Sequence, residues 1–126
     1  MDREQLDRMV RTGSLTRMGF GAAMLLAPGR LGSQWIGADG RRPAVKAIVR
    51  ALGIRDLILG AGAYLAVQEG RGVRRWFEFG LAADAVDALA TLLAARHVPK
   101  LKVLTAVVTA GSAAGAQAWL LGQLED

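Results

Sequence analysis

Arg50-Ala51-Leu52-Gly53-Ile54-Arg55-Asp56-Leu57-Ile58-Leu59-Gly60 sets an arginine and an aspartate side by side in the middle of an otherwise apolar, helix-length segment. Further along, Asp84-Ala85-Val86-Asp87 places two more charges inside a second apolar segment. A soluble helix keeps its charges on the solvated face, so this placement predicts that the two segments pack as membrane-spanning helices whose charges meet.

Small and polar residues recur at helical spacing around those charges. Gly53, Asp56, Gly60 and Ala63 form one such stripe, and Gly80, Asp84, Asp87 and Thr91 a second. A third holds Thr105, Thr109, Ser112 and Ala116, with Gly111 and Gly115 beside it in a GxxxG spacing. Arg17, Gly21 and Met24 make a fourth, near the amino terminus. In lipid no hydrophobic force draws helices together, so close packing through small residues and hydrogen bonds must do it. These stripes are the expected helix contacts.

The rest of the chain punctuates accordingly. Residues 1–13 read as a short amphipathic helix lying on a surface. Ser14 is a suitable helix cap for the first span, which Pro28-Gly29 interrupts. Gly37 to Pro43 and Gln68 to Gly72 are turn-rich connections. Val103 to Leu121 contains no charged residue and meets the length criterion for a crossing. The expected spans are 14–36, 46–67, 76–95 and 103–121. The first is the weakest, because residues 14–27 are too few for a hydrocarbon core of about 30 Å. Trp35, Trp76 and Trp119 fall at segment ends, as in an interfacial aromatic belt. The expectation is a single all-α domain over residues 1–126, an up-down four-helix transmembrane bundle with a short amphipathic N-terminal segment.

Composition agrees. Among 126 residues 52% are hydrophobic before the 16 glycines are counted, above the usual soluble proportion. The formal charge of +5 would suit nucleic acid, but the basic residues cluster at the flanks of apolar segments, where membrane proteins carry them. The two faces of a four-span bundle carry near-equal numbers of basic residues, so charge does not set the orientation. Thirteen arginines against three lysines, with abundant alanine and glycine, suggest a high-GC bacterial source. There is no cysteine, and the single histidine, His97, sits in an expected loop and cannot build a metal site alone. The amino terminus lacks the pattern of a cleavable signal peptide. Asp84-Ala85-Val86-Asp87 supplies only half of a magnesium-diphosphate site, and no Ser/His pairing or dinucleotide fingerprint is present. No catalytic residue, cofactor or metal is therefore expected, and the protein is not expected to be an enzyme.

Mid-membrane depth sharpens the charge argument. At about 2.5–3.5 kcal/mol each, Arg55, Asp56, Asp84 and Asp87 left unpaired would cost about 10–14 kcal/mol. Pairing is expected instead, with Arg55 bridging to Asp84 or Asp87 and Arg17 reaching in from the first span. The candidate cluster is thus Arg17, Arg55, Asp56, Asp84 and Asp87. It reads either as an ion-pair lock that fixes helix register or as a membrane-embedded site for a proton, an ion or a small lipophilic molecule. A soluble four-helix bundle burying the same stripes is the remaining alternative.

The helix ending at Ala27-Pro28, the Trp35-Ile36-Gly37 element, the Gly53-Ile54-Arg55-Asp56 block with Gly60, and Ala83-Asp84-Ala85-Val86-Asp87-Ala88 together resemble small four-span integral membrane proteins of high-GC bacteria, an uncharacterised family. The resemblance implies the topology and no activity. The resulting expectation is a multi-pass protein of the inner (plasma) membrane, of binding or assembly type. Its expected partners are the bilayer and a second membrane chain, either a copy of itself or another protein, and no nucleic acid.

Overall fold

A computed structural model describes residues 1–124, which form an all-helical structure of five α-helices. The first, α1, spans Arg3–Leu26. Asp2 starts it: its carboxylate accepts from the Gln5 backbone N–H at 2.7 Å while the Gln5 side chain accepts from the Asp2 N–H at 3.2 Å, a reciprocal capping box. The expected surface helix over 1–13 and the first span are therefore one continuous rod. Ser14 is not a cap. It lies buried within α1, and its hydroxyl donates back to the Val10 carbonyl at 2.7 Å.

Pro28 ends α1, because the residue before a proline is pushed out of the helical region; Ala27 adopts φ −133°, ψ 57°. Pro28 then opens α2 (Pro28–Ile36), where its missing N–H is no loss. What was expected as one kinked span is two helices, so the bundle has five rather than four. A 3-10 turn at Ala38–Arg41 leads into α3, Pro43–Glu69. Its end is a Schellman motif: Gly70 at φ 70° donates to the Val67 carbonyl, and Arg71 to the Ala66 carbonyl. Helix α4 runs Val73–Leu93, a 3-10 turn covers Ala95–His97, and α5 runs Lys100–Leu121.

Helix α1 lies antiparallel on α3. Gly21 meets Gly53, and Ser14 and Met18 meet Gly60, so the two backbones touch without intervening side chains. Helix α4 packs on α5 and on α3, while α2 bridges α3 and α5. The apolar core is small: Val10, Ala63, Val67, Phe77 and Leu120 cluster at one end, and among the described residues Val10 is the only large side chain wholly enclosed.

The stripes of α1, α3 and α4 face inward as expected, with Gly21, Gly53, Asp56, Gly60, Ala63, Gly80 and Thr91 buried. The α5 stripe is a correction. Thr105, Thr109, Ser112 and Ala116 are exposed rather than packed, and Gly111 and Gly115 have nothing within 4 Å of a built Cβ, because no helix lies across from them. Among the described residues one helix, α5, is long and apolar enough to cross a membrane by length and composition. The charges inside α3 and α4 keep those helices below that mark. The chain ends in a short acidic tail, residues 122–126, which lies partly outside the described residues.

Candidate functional site

The five charged residues singled out in the sequence come together between α1, α3 and α4. Arg17 of α1 donates from Nη1 to Asp56 Oδ1 at 3.2 Å and from Nη2 to Asp84 Oδ2 at 2.5 Å, linking three helices. Arg55 of α3 holds Asp87 of α4 in a bidentate fork, Nη1 to Oδ1 at 2.8 Å and Nη2 to Oδ2 at 2.6 Å, the geometry a guanidinium favours. Arg55 Nη2 also reaches its neighbour Asp56 Oδ1 at 3.2 Å. Of the two partners expected for Arg55, the structure selects Asp87, and Asp84 goes to Arg17.

Helical spacing explains the selection. Asp84 and Asp87 lie nearly one turn apart on one face of α4, so one arginine cannot fork both. Gly80, the next small residue along that face, leaves space: a Cβ there would sit 2.8 Å from Gln117 Oε1 and 3.4 Å from Arg17 Nη2.

Two further groups join that the sequence reading did not assign to the cluster. Gln117 of α5 donates from Nε2 to Asp84 Oδ2 at 2.5 Å. Its signal was available, as the only amide in the charge-free apolar stretch Val103 to Leu121, where a polar side chain seeks a partner on a neighbouring helix. Trp35 of α2, expected at an interface, donates from Nε1 to Thr91 Oγ1 at 3.1 Å, and the Thr91 hydroxyl donates in turn to the Asp87 backbone carbonyl at 2.8 Å. Helices α1, α3, α4 and α5 thus share one side-chain network, and α2 is tied through Thr91 to the backbone of α4 beside it.

Beside the network opens a cavity of about 660 Å³. Thr105, Thr109, Ala113, Ala116, Gln117 and Leu120 of α5 form one wall, which is where three of the four residues of the expected α5 stripe face; Ser112 lies outside it. Arg17, Asp56, Asp84 and Asp87 line the opposite side together with Phe20, Trp35, Trp76 and Phe77. Both oxygens of Asp87 are taken by Arg55, but Asp56 Oδ2 and Asp84 Oδ1 have no hydrogen-bond partner among the described residues. Neither is sealed from solvent-sized contact, so Asp56 and Asp84, which both line the cavity, each keep one free acceptor oxygen. His97 is exposed in the 3-10 turn before α5, and among the described residues no three acidic, histidine or cysteine side chains converge to hold a metal ion. Comparison with protein-family models, with curated proteins and with solved structures finds no match for this chain.

Proposed function

We propose that this chain is a small multi-pass integral protein of the inner (plasma) membrane, of binding or assembly type, in which the ion-pair network locks the helices and borders a site for a ligand. The observation that carries the reading is an inverted distribution of polarity. Leu15, Ile58, Val86 and Leu101 are all more than half exposed on the outside of the bundle, whereas the side chains of Asp56 and Asp84 are 12% and 16% exposed. Large apolar patches on a soluble monomer are rare and mark an interaction surface; charges directed inward and apolar side chains outward suit lipid as the solvent.

Aromatic and basic side chains at one end support the same placement. Arg11 lies over the Tyr64 ring, 6.0 Å from its centroid, and Trp76 meets Phe79 edge-on with centroids 6.2 Å apart. Tyrosine, tryptophan and arginine together are the residues of a headgroup boundary. On this reading the polar first half of α1 projects beyond the boundary, which explains why it is helical although no lipid-facing segment requires it. The family resemblance of the Gly-Ile-Arg-Asp and Asp-Ala-Val-Asp blocks adds to the proposal.

Cell fractionation tests it. The protein is expected in the membrane pellet and to stay there through high salt and alkaline carbonate. Recovery in the soluble fraction at native expression would sink the reading.

A further inference from the structure

We infer that the cavity beside the network is a binding site for a lipophilic monocation: a protonated amine, or an onium group, carried on an apolar body. The inference deepens the proposed function by naming what the bundle would hold.

Three features of the cavity converge. Its size, about 660 Å³, falls within the roughly 300–1,000 Å³ of sites that enclose small organic molecules. Its walls are mostly apolar, and four of the lining side chains are aromatic: Phe20, Trp35, Trp76 and Phe77. Aromatic faces attract cations as well as apolar groups. With every group ionised its polar side carries an excess of negative charge, because Asp56, Asp84 and Asp87 face only the two arginines, 17 and 55.

That excess has an address. Arg55 saturates Asp87, and what remains available is one oxygen each on Asp56 and Asp84, both without a donor among the described residues. Each can accept from an ammonium or lie against an onium charge. An anion would meet them in repulsion, and a neutral molecule would leave the excess charge uncompensated in a poorly hydrated site. The remaining charged lining residue, Lys102, is about four turns from Gln117 along α5, roughly 22 Å away, so it marks the far end of the cavity and does not neutralise the acceptors.

The experiment compares tetraphenylphosphonium with tetraphenylborate, ions of the same shape and opposite charge, by equilibrium dialysis against the purified full chain. Mild non-ionic detergent is used if the protein fractionates with membranes, and plain buffer if it does not, so failure of the membrane reading and failure of this one are read separately. Saturable binding of the cation, tighter than the anion by about tenfold or more, is expected. Asp84→Asn, which keeps the shape and removes one charge, should weaken the cation by about tenfold and leave the anion no weaker. Ala113→Phe fills the cavity from the α5 wall and removes no charged or hydrogen-bonding group, and it should abolish cation binding; it keeps the test decisive if Asp84→Asn does not fold. Equal binding of the two ions would reduce the cavity to an apolar slot for acyl chains or detergent and overturn the inference. So would cation binding that Ala113→Phe leaves unchanged.

Discussion

Between α1 and α3, Gly21 lies so close to Gly53 that a Cβ on it would sit 2.5 Å from the Gly53 carbonyl oxygen, whereas Gly111 and Gly115 of α5 have no neighbour within 4 Å. The same residue types at the same kind of spacing thus produce a closed seam on one side of the bundle and an open wall on the other. What differs is the opposing surface. Gly21 and Gly53 meet small residue against small residue, and the backbones close until they touch. Helix α5 presents its threonines and alanines to a cavity and its glycines to the outside. A small-residue stripe therefore permits close approach and does not compel it; complementarity from the partner helix decides.

The closed side is also where the charges are fixed, and the largest expected effect lies there. Arg55→Ala leaves Asp87 without the fork that satisfies both its oxygens. Breaking a buried pair costs about 3–5 kcal/mol. With side chains 29% and 25% exposed for Arg55 and Asp87, the low end, about 3 kcal/mol, is expected. Adding Asp87→Asn should recover part of that loss, whereas adding Asp84→Asn should not, since Asp84 is held by Arg17 and Gln117. Double-mutant cycles on unfolding in mild detergent distinguish the two aspartates. Strong coupling of Arg55 to Asp84 instead would mean that α3 and α4 are out of register with the structure.

Next in size is the seam itself. Gly21→Ala would place a methyl against the Gly53 oxygen at 2.5 Å and the Leu57 nitrogen at 2.8 Å, both backbone atoms that cannot rotate aside. Overpacking of this kind costs about 1–3 kcal/mol, enough to exceed the roughly 1 kcal/mol that alanine gains over glycine in a helix. A net loss of stability is expected in a thermal melt. A rise in melting temperature would show that α1 and α3 stand further apart.

Much of this seam was legible beforehand, because Gly53, Asp56, Gly60 and Ala63 repeat at helical spacing and a mid-helix Arg-Asp pair needs partners. The grouping of Arg17, Arg55, Asp56, Asp84 and Asp87 follows from the same two facts. The pairing within the group was not legible, since choosing Asp87 over Asp84 for Arg55 depends on the relative height of α3 and α4. Nor was the continuity of α1: residues 1–13 read as a helix of their own because Ser14 suits the cap of a following one, although Asp2 and Gln5 together carried the capping-box signal at the true start. Ser14 misled because a serine that caps and a serine that bonds back to the preceding turn look alike in one dimension. The α5 stripe misled for the reason given above, since a sequence specifies one face of a contact and not what stands opposite.

A smaller effect is expected where α2 is tied to α4 beside the network. Trp35→Phe keeps an aromatic ring beside the cavity, though a smaller one, and removes the N–H that reaches Thr91 Oγ1 at 3.1 Å. Thr91 still donates to the Asp87 carbonyl, so no donor is orphaned, and the loss should be about 1 kcal/mol, the net worth of one hydrogen bond. A loss several times larger, measured by the same melt, would make α2 a support of the Arg55–Asp87 fork rather than a flank of the cavity.

The smallest effect belongs to the open wall and carries the opposite sign from the seam. Gly111→Ala and Gly115→Ala each add a methyl where nothing lies within 4 Å, so only backbone entropy counts, and each should stabilise α5 by about 0.5–1 kcal/mol. A second copy of the chain would reverse this. If two α5 helices met through these glycines, spaced as in the GxxxG pairing of membrane helices, the added methyls would hold the backbones apart and weaken the assembly. Thermal unfolding at two protein concentrations separates the cases. A stabilisation independent of concentration keeps α5 as an uncovered wall, and a destabilisation that deepens on dilution would place a partner across it, making it a second seam like that between Gly21 and Gly53.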